Sequence, residues 1–411
     1  MDNRSFVFRG YDNRAEKGEI AFHYSIISSG ETLNFTEKIS FPPADITNIP
    51  EELIKSLLDS LLLILGISYW KLYCPKEIII ESNFLTKEQA NFWNNVYTKG
   101  LGEFFYKNKI DFRGLVQFPY LDNVQAKTNL FPRKERELLG FGGGKESIVA
   151  AEILKKENKE FDLLIIGTSQ IQKTVAGIMN KEPIVINREL DPKLFNLNKG
   201  KGTYNGHIPI SAIYAFLGLM AGVFYDYKHF VVGNEKSANY GNVEYLGEII
   251  NHQWSKSGEF EALFKEYVQK YITADVSYSS SLRDLNELQV IKEFVNHPEY
   301  FPLFSSCNTN FKIHGAQRGT QGLWCGKCAK CLFVFICLAA FLPKEKVLDI
   351  FGKNLFEDES LISLFEELLG IKNFKPFECV GTPEEVKEAL KKISEKGEFD
   401  DTKVVSSYKN I

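Results

Sequence analysis

Apolar and polar residues alternate along the first part of the chain, and this predicts strands over residues 5–9, 19–28 and 33–41, because successive strand side chains face opposite ways. The period then changes. An apolar stripe at helical spacing runs over 51–65, a short strand follows at 77–81, and residues 86–107 read as one or two helices broken near Gly100-Leu101-Gly102. From Arg136 onward strands and helices alternate. A strand ends at 138–140, with a helix to about 157, a strand at 161–167, a helix through Met179, a strand at 183–187, a helix over 211–226 and a strand at 229–232. Strands that are apolar throughout and joined by helices predict an α/β fold, a parallel sheet with helices on both faces. Residues 344–411 read as charged amphipathic helices around a loop at 375–381, ending in a polar tail. The expected units are an α+β domain over 1–130, an α/β domain over 131–300 and a cysteine-rich helical region over 301–411.

Composition narrows the function classes. With 49 basic and 53 acidic residues the net charge is -4, and no basic stripe recommends a nucleic-acid partner. The most apolar stretch, 208–225, carries Pro209 and Ser211 and is short for a membrane span, so the expectation is a cytoplasmic protein with no membrane association. Aromatic residues Trp93, Phe104, Phe105 and Tyr106 are read as core packing.

The most informative segment is Leu138-Leu139-Gly140-Phe141-Gly142-Gly143-Gly144-Lys145-Glu146-Ser147, a buried strand, a triple-glycine turn and the first turn of an amphipathic helix. Such a turn lets the backbone approach an anion, with the free N–H groups and positive dipole end of the helix facing it. Two familiar loops are excluded by spacing. A phosphate loop of the Walker type needs glycine at Leu139 and serine or threonine at Glu146, and a dinucleotide fingerprint needs a small residue at Lys145. The segment resembles the PP-loop of ATP pyrophosphatases, with Gly142 in the serine position and Glu146 in the aspartate position. The resemblance implies ATP cleaved between its α and β phosphates. Ligands of a parallel sheet sit at the carboxyl ends of its strands, where the loops 167–169, 187–189 and 233–237 fall, and Asn234, Glu235 and Ser237 join the candidate ATP and Mg²⁺ contacts. Glu235 and Lys236 equally fit a solvated cap.

Cys325, Cys328 and Cys331 lie at intervals of three, with Cys307 available from the preceding loop. Four thiolates in this arrangement suit a structural Zn²⁺, and an iron–sulfur cluster fits the same spacing. Lys327 and Lys330 would partly offset the thiolate charge. A similar arrangement occurs in the deazaguanine-forming PP-loop synthases, where it holds zinc.

Further strings extend the resemblance: Ser68-Tyr69-Trp70-Lys71, Asn205-Gly206-His207-Ile208-Pro209, Asn251-His252-Gln253-Trp254-Ser255-Lys256-Ser257, Ser306-Cys307-Asn308 and Lys375-Pro376-Phe377-Glu378-Cys379-Val380-Gly381. In this order with the glycine loop they resemble the MurL family, the ATP-dependent UDP-N-acetylmuramoyl-L-alanyl-L-glutamate epimerases of peptidoglycan synthesis, from about residue 5 to 395. The resemblance implies a UDP-linked muramoyl dipeptide substrate, adenylation of its terminal carboxylate and proton exchange at the glutamate α-carbon. In that scheme Gly142, Gly143, Gly144 and Ser147 hold phosphates, Lys145 balances their charge, and Glu146 anchors Mg²⁺ or the loop. Candidate acids and bases are His252, Cys379 and His207, with Lys256 a carboxylate or phosphate binder one turn beyond His252 if that segment is helical. Arg283 fits the second carboxylate of the glutamate or an ion pair with Asp284 or Glu287. Two other classes remain: a PP-loop enzyme adenylating a carboxylate or nucleobase for amidation or thiolation, and a non-catalytic nucleotide-binding module. Pyrophosphate release separates them.

Overall fold

The computed structural model describes residues 4–122, 127–311, 322–372 and 374–408; the polar tail beyond 408 and the first three residues lie outside it. Strands β1 (Ser5–Arg14), β2 (Glu19–Ser28) and β3 (Glu31–Ser40) form the antiparallel set. Helix α1 (Glu51–Trp70), β4 (Glu77–Ile80), α2 (Lys87–Gly100) and α3 (Gly102–Asn108) follow. The alternating region is β5 (Glu137–Gly140), α4 (Lys145–Lys156), β6 (Phe161–Ile166), α5 (Gln170–Ile178), β7 (Ile184–Glu189), α6 (Pro192–Leu197), α7 (Ile210–Phe224) and β8 (His229–Val232). A hairpin of β9 (Val243–Tyr245) and β10 (Glu248–Ile250), then α8 (Gly258–Tyr271), β11 (Ser277–Ser280), α9 (Glu287–Phe294) and α10 (Ala329–Phe341), lead into the C-terminal helices.

All strands but the hairpin join one nine-stranded, mostly parallel sheet, in the order β11-β8-β5-β6-β7-β3-β2-β1-β4. Period-two alternation assigns its side chains to two cores. Leu138, Leu164, Ile186 and Phe230 pack with α1 and α7, whereas Leu139, Leu163, Ile165 and Val231 pack with α4 and α10 on the opposite face. Gly218 of α7 has a packing reason: a Cβ there would lie 2.0 Å from the Phe230 ring.

The antiparallel strands are continuous with the parallel ones. β3 pairs antiparallel with β7, Ile39 opposite Arg188, and Arg188 makes a two-pronged bond to Glu37 at 2.6 and 3.1 Å and a third to Ser68 Oγ at 2.7 Å. Arg188 was expected in a ligand-facing loop at 187–189; it lies inside β7 instead, because pairing with β3 extends the strand to Glu189. Helix α1 extends to Trp70, and among the described residues it alone is long and apolar enough to cross a membrane; 83% of that window is buried in this core. Trp93, Phe104 and Phe105 are fully buried, as expected of core residues.

Candidate active site

β5 delivers the chain to the glycine turn at the carboxyl edge of the sheet. Gly143 has φ +72°, a left-handed conformation that costs other residues energy, and a Cβ on it would sit 3.1 Å from Gln172 Cα. Gln172 Nε2 donates to Phe141 O at 3.2 Å and fixes the turn from the side. Gly144 is the N-cap of α4 and offers no side-chain cap, so the first N–H groups of the helix are free to meet a ligand. Ser147 Oγ donates back to Gly144 O at 3.0 Å. Gly142, Gly144, Glu146 and Ser147 line a cavity of about 330 Å³, whose apolar wall includes Ile166, Tyr214 and Phe230.

Lys145 does not line this cavity, contrary to the role expected for it. Its ammonium is buried beneath the loop, 2.6 Å from Glu146 Oε1 and 2.7 Å from Glu287 Oε2. Burial alone would lower it, but Glu146, Glu287 and Glu235 outweigh that and raise it above the ordinary lysine value. One cation cannot balance every carboxylate around it. Burial, against the pull of Lys145, pushes Glu287 up to about 8, while Glu146 is held well below the usual carboxylate range by Lys145, Lys330 and Lys256 despite its burial. Glu235 and Ser237 also face inward: Glu235 is 1% exposed, and Ser237 Oγ donates to Glu385 Oε1 at 2.9 Å. Asn234 does line the cavity, held by Ser280 and Tyr278.

On the other side the cavity is closed by Lys256, Lys330 and Cys379. Lys256 ends a short 3-10 turn, Trp254–Lys256, so the segment after His252 is not an α-helix. Arg283 binds neither Asp284 nor Glu287; it bonds Glu261 at 2.9 and 3.0 Å and braces the carbonyls of Glu235 and Lys256. Asn242 joins the two loops that meet here: it accepts from His252 N at 2.7 Å and donates to the carbonyls of Lys375 and Pro376. Burial pushes the Cys379 thiol up, yet Lys256, a hydrogen bond to His252 and Lys330 outweigh it and bring it down to about 6. Burial likewise opposes charge on His252, but Cys379 and Glu103 raise it to about 9. At neutral pH the pair is therefore a thiolate and an imidazolium. His207 lies behind His252, ring centroids 4.5 Å apart, and is kept neutral by burial and by its charged neighbour, its value lowered to about 3. It does not reach the cavity.

The four expected cysteines converge. The sulfurs of Cys307, Cys325, Cys328 and Cys331 lie within 4.8 Å of one another, with Cys328 and Cys331 at 3.5 Å and Cys325 and Cys331 at 3.7 Å. Gly326, at φ +62°, makes the turn between Cys325 and Cys328. This knuckle shapes the cavity, because Ser305, Ser306, Asn308 and Lys330 are its neighbours and line the wall, and Lys330 N donates to Glu378 Oε2 beside Cys379.

Sequence reasoning missed Glu103, Glu287, Gln172 and the cavity role of Lys330. None stands in a short motif, though Lys330 lies within the cysteine run.

Fold and site together define an α/β protein whose mostly parallel sheet presents an open glycine-rich helix N-terminus to the Cys379 thiolate in one cavity, with the His252 imidazolium paired to it from outside the cavity. The chain belongs to the MurL family: the MurL N-terminal domain matches residues 1–281 and the MurL C-terminal domain residues 303–410. Two relatives carry the name UDP-N-acetyl-alpha-D-muramoyl-L-alanyl-L-glutamate epimerase. The one from Xanthomonas oryzae pv. oryzae is 37% identical over 86% of this chain and 78% of its own; the one from Micromonospora is 33% identical over 98% and 89%. A solved structure from Methanocaldococcus jannaschii, described as a predicted subunit of tRNA methyltransferase, covers 39% of this chain and 75% of its own at 18% identity. Its TM-score of 0.25 is too low to define a shared fold.

Proposed function

We propose that this chain is an ATP-dependent epimerase of the PP-loop type, which inverts the terminal L-glutamate of UDP-N-acetylmuramoyl-L-alanyl-L-glutamate for peptidoglycan precursor synthesis. The observation that carries this reading is that Cys379, paired with His252, opens into the same cavity as the uncapped helix α4. An enzyme that activates a carboxylate and then moves the neighbouring proton needs both functions within reach of one substrate. The names of its relatives support the same substrate.

ATP with Mg²⁺, as co-substrate, supplies an adenylyl group that masks the terminal carboxylate and so makes the adjacent C–H acidic enough to lose its proton. The α4 N–H groups and the Gly142–Gly144 turn bind the phosphates, and Glu146 is the carboxylate that lines the cavity for Mg²⁺. The Cys379 thiolate takes the α-proton. Lys256, whose burial is overcome by Cys379, Glu235 and Glu146 so that it stays charged, stands on the same side and stabilises that thiolate, and a solvent proton returns to the opposite face. Exchange with solvent resets the thiol, and hydrolysis of the acyl phosphate releases the D-isomer. Cys307, Cys325, Cys328 and Cys331 hold a structural Zn²⁺ in this reading, since sulfur separations of 3.5 and 3.7 Å suit a tetrahedron with bonds of ~2.3 Å.

Incubation with ATP, Mg²⁺ and the UDP-linked dipeptide in D₂O tests the reading. It predicts pyrophosphate together with D-glutamate deuterated at the α-carbon; protein that binds ATP and yields neither is not this epimerase. Turnover needs the thiolate, which appears as pH rises through about 6, and the imidazolium, which is lost as pH rises through about 9. A bell-shaped rate profile with limbs near those values follows. Removing zinc by chelation, or replacing Cys328 with serine, is expected to lower the melting temperature and abolish turnover together, because the same knuckle sets Lys330 and Ser306 in the cavity wall. Metal analysis that finds no zinc in active protein overturns that assignment.

A further inference from the structure

We infer that Glu103 is a positioning residue of the same reaction, forming with His252 and Cys379 a carboxylate–imidazole–thiol relay that reaches the cavity from outside it. The inference rests on the epimerase reading only for the reaction it serves; the relay itself is a property of the protein without substrate.

Glu103 lies on α3, far in sequence from both partners, and is 5% exposed. Its Oε2 accepts from His252 Nδ1 at 2.5 Å and stands 3.4 Å from His207 Nδ1, while its Oε1 accepts from Lys107 Nζ at 2.5 Å. With Nδ1 committed to Glu103, Nε2 is the nitrogen left for Cys379. A buried carboxylate so placed selects the tautomer of the ring, fixes its plane and favours its charged form, which in turn favours a thiolate at the far end. Burial opposes ionisation of Glu103, but His252, His207 and Lys107 outweigh it and lower it to about 2.

The surrounding charges agree with one positive charge on the pair of histidines. His252 faces Cys379, Glu103 and His207; His207 faces Glu103, with Lys107 and Lys71 on its other sides. Lys71 Nζ donates to Asn205 Oδ1 and Gly206 O and so holds the loop that carries His207. Cys379 faces Lys256, Lys330 and His252, with Lys375 nearby. The carboxylate and the two imidazoles also have donor atoms close enough to ligate a cation, within 4.8 Å of one another. Two neighbouring ammonium groups oppose a metal there, and a protonated His252 satisfies the carboxylate without one.

The test is the pH dependence of Cys379 alkylation by iodoacetamide in the full-length protein, without ATP or substrate, read by mass spectrometry of its peptide. In Glu103→Gln the thiolate is expected to titrate about one unit higher, so that alkylation near pH 6.5 is about tenfold slower. Glu103→Asp should recover part of the rate, and His252→Gln should show at least the shift of Glu103→Gln. The acid limb of turnover should move with the alkylation profile while KM for ATP stays unchanged. Coincident alkylation profiles for wild type and Glu103→Gln, or a Glu103→Gln that loses only thermal stability, would overturn the relay. If Glu103→Gln does not fold, an unshifted profile in His252→Gln and Glu103→Asp does the same. Shifted alkylation in a protein that inverts no glutamate keeps the relay and discards the epimerase reading.

Discussion

Cys379→Ala is expected to leave pyrophosphate release running while inversion falls by about 10²- to 10⁴-fold, the usual contribution of a positioned acid or base. The two steps separate because they use different walls of the cavity. The phosphate wall is built from the glycine turn, Gln172 and the first turn of α4, none of which is bonded to residues 375–380. The thiol wall is held by Asn242 and by Gln253, whose Nε2 donates to Val380 O at 3.2 Å. Removing a single sulfur atom leaves those anchors in place, so KM for ATP should not change. Cys379→Ser should behave alike, because a serine hydroxyl beside the same cations does not ionise near neutral pH. A variant that loses pyrophosphate release and inversion in equal measure would show that Cys379 acts before proton transfer, in activation or binding.

Lys145→Met is expected to destabilise the fold by about 3–5 kcal/mol, since breaking a buried ion pair from one side leaves its partner charge unpaired. Glu146 and Glu287 would then stand together in the interior with Glu235 beside them. By contrast Glu287→Gln should cost less near neutral pH, because burial and the neighbouring Glu235 and Glu146 push the Glu287 carboxyl up, and Glu146 remains as the charged partner of Lys145. The pH dependence gives a second reading. Glu146 is depressed in the folded protein, so the stability it gains from Lys145 is present above the unfolded carboxylate range and is lost as pH falls through and below it. The gap between wild type and Lys145→Met should therefore narrow in acid. Denaturant unfolding at pH 7 and pH 4 measures both effects, and equal gaps at the two values would contradict the assigned charges.

Local signals were legible in the sequence, and distant pairings were not. Strand and helix starts from β2 through β8 lie close to where the periods change, except for α6, which was not foreseen, and the cysteine knuckle was readable because three of its members lie within seven residues, Cys325 to Cys331. The glycine turn was likewise visible, because three glycines before an amphipathic helix are a local pattern. Lys145 shows where this reading ends. A lysine after a glycine turn suggests a phosphate contact, and only the fold brings Glu287 of α9 beneath it. Arg188 was misread for a similar reason: its strand continues only because β3 lies alongside. Glu103 is one of 53 acidic residues and has no neighbouring motif, so nothing short of the packed structure sets it apart. His252, His207 and Cys379 were visible as candidates, yet their separation into one cavity thiol, its imidazole partner and a buried companion depends on three loops meeting at Asn242 and Glu103.

The order in which the cavity is completed has a consequence during synthesis. The glycine turn and the strands beside it leave the ribosome long before the C-terminal loop that carries Cys379, and domains fold as they emerge. A growing chain, or one clipped after α10, therefore lacks both Cys379 and the C-terminal helices that share a core with α4. Such a fragment is incomplete by construction, and the last stretch of translation completes the core and the cavity together.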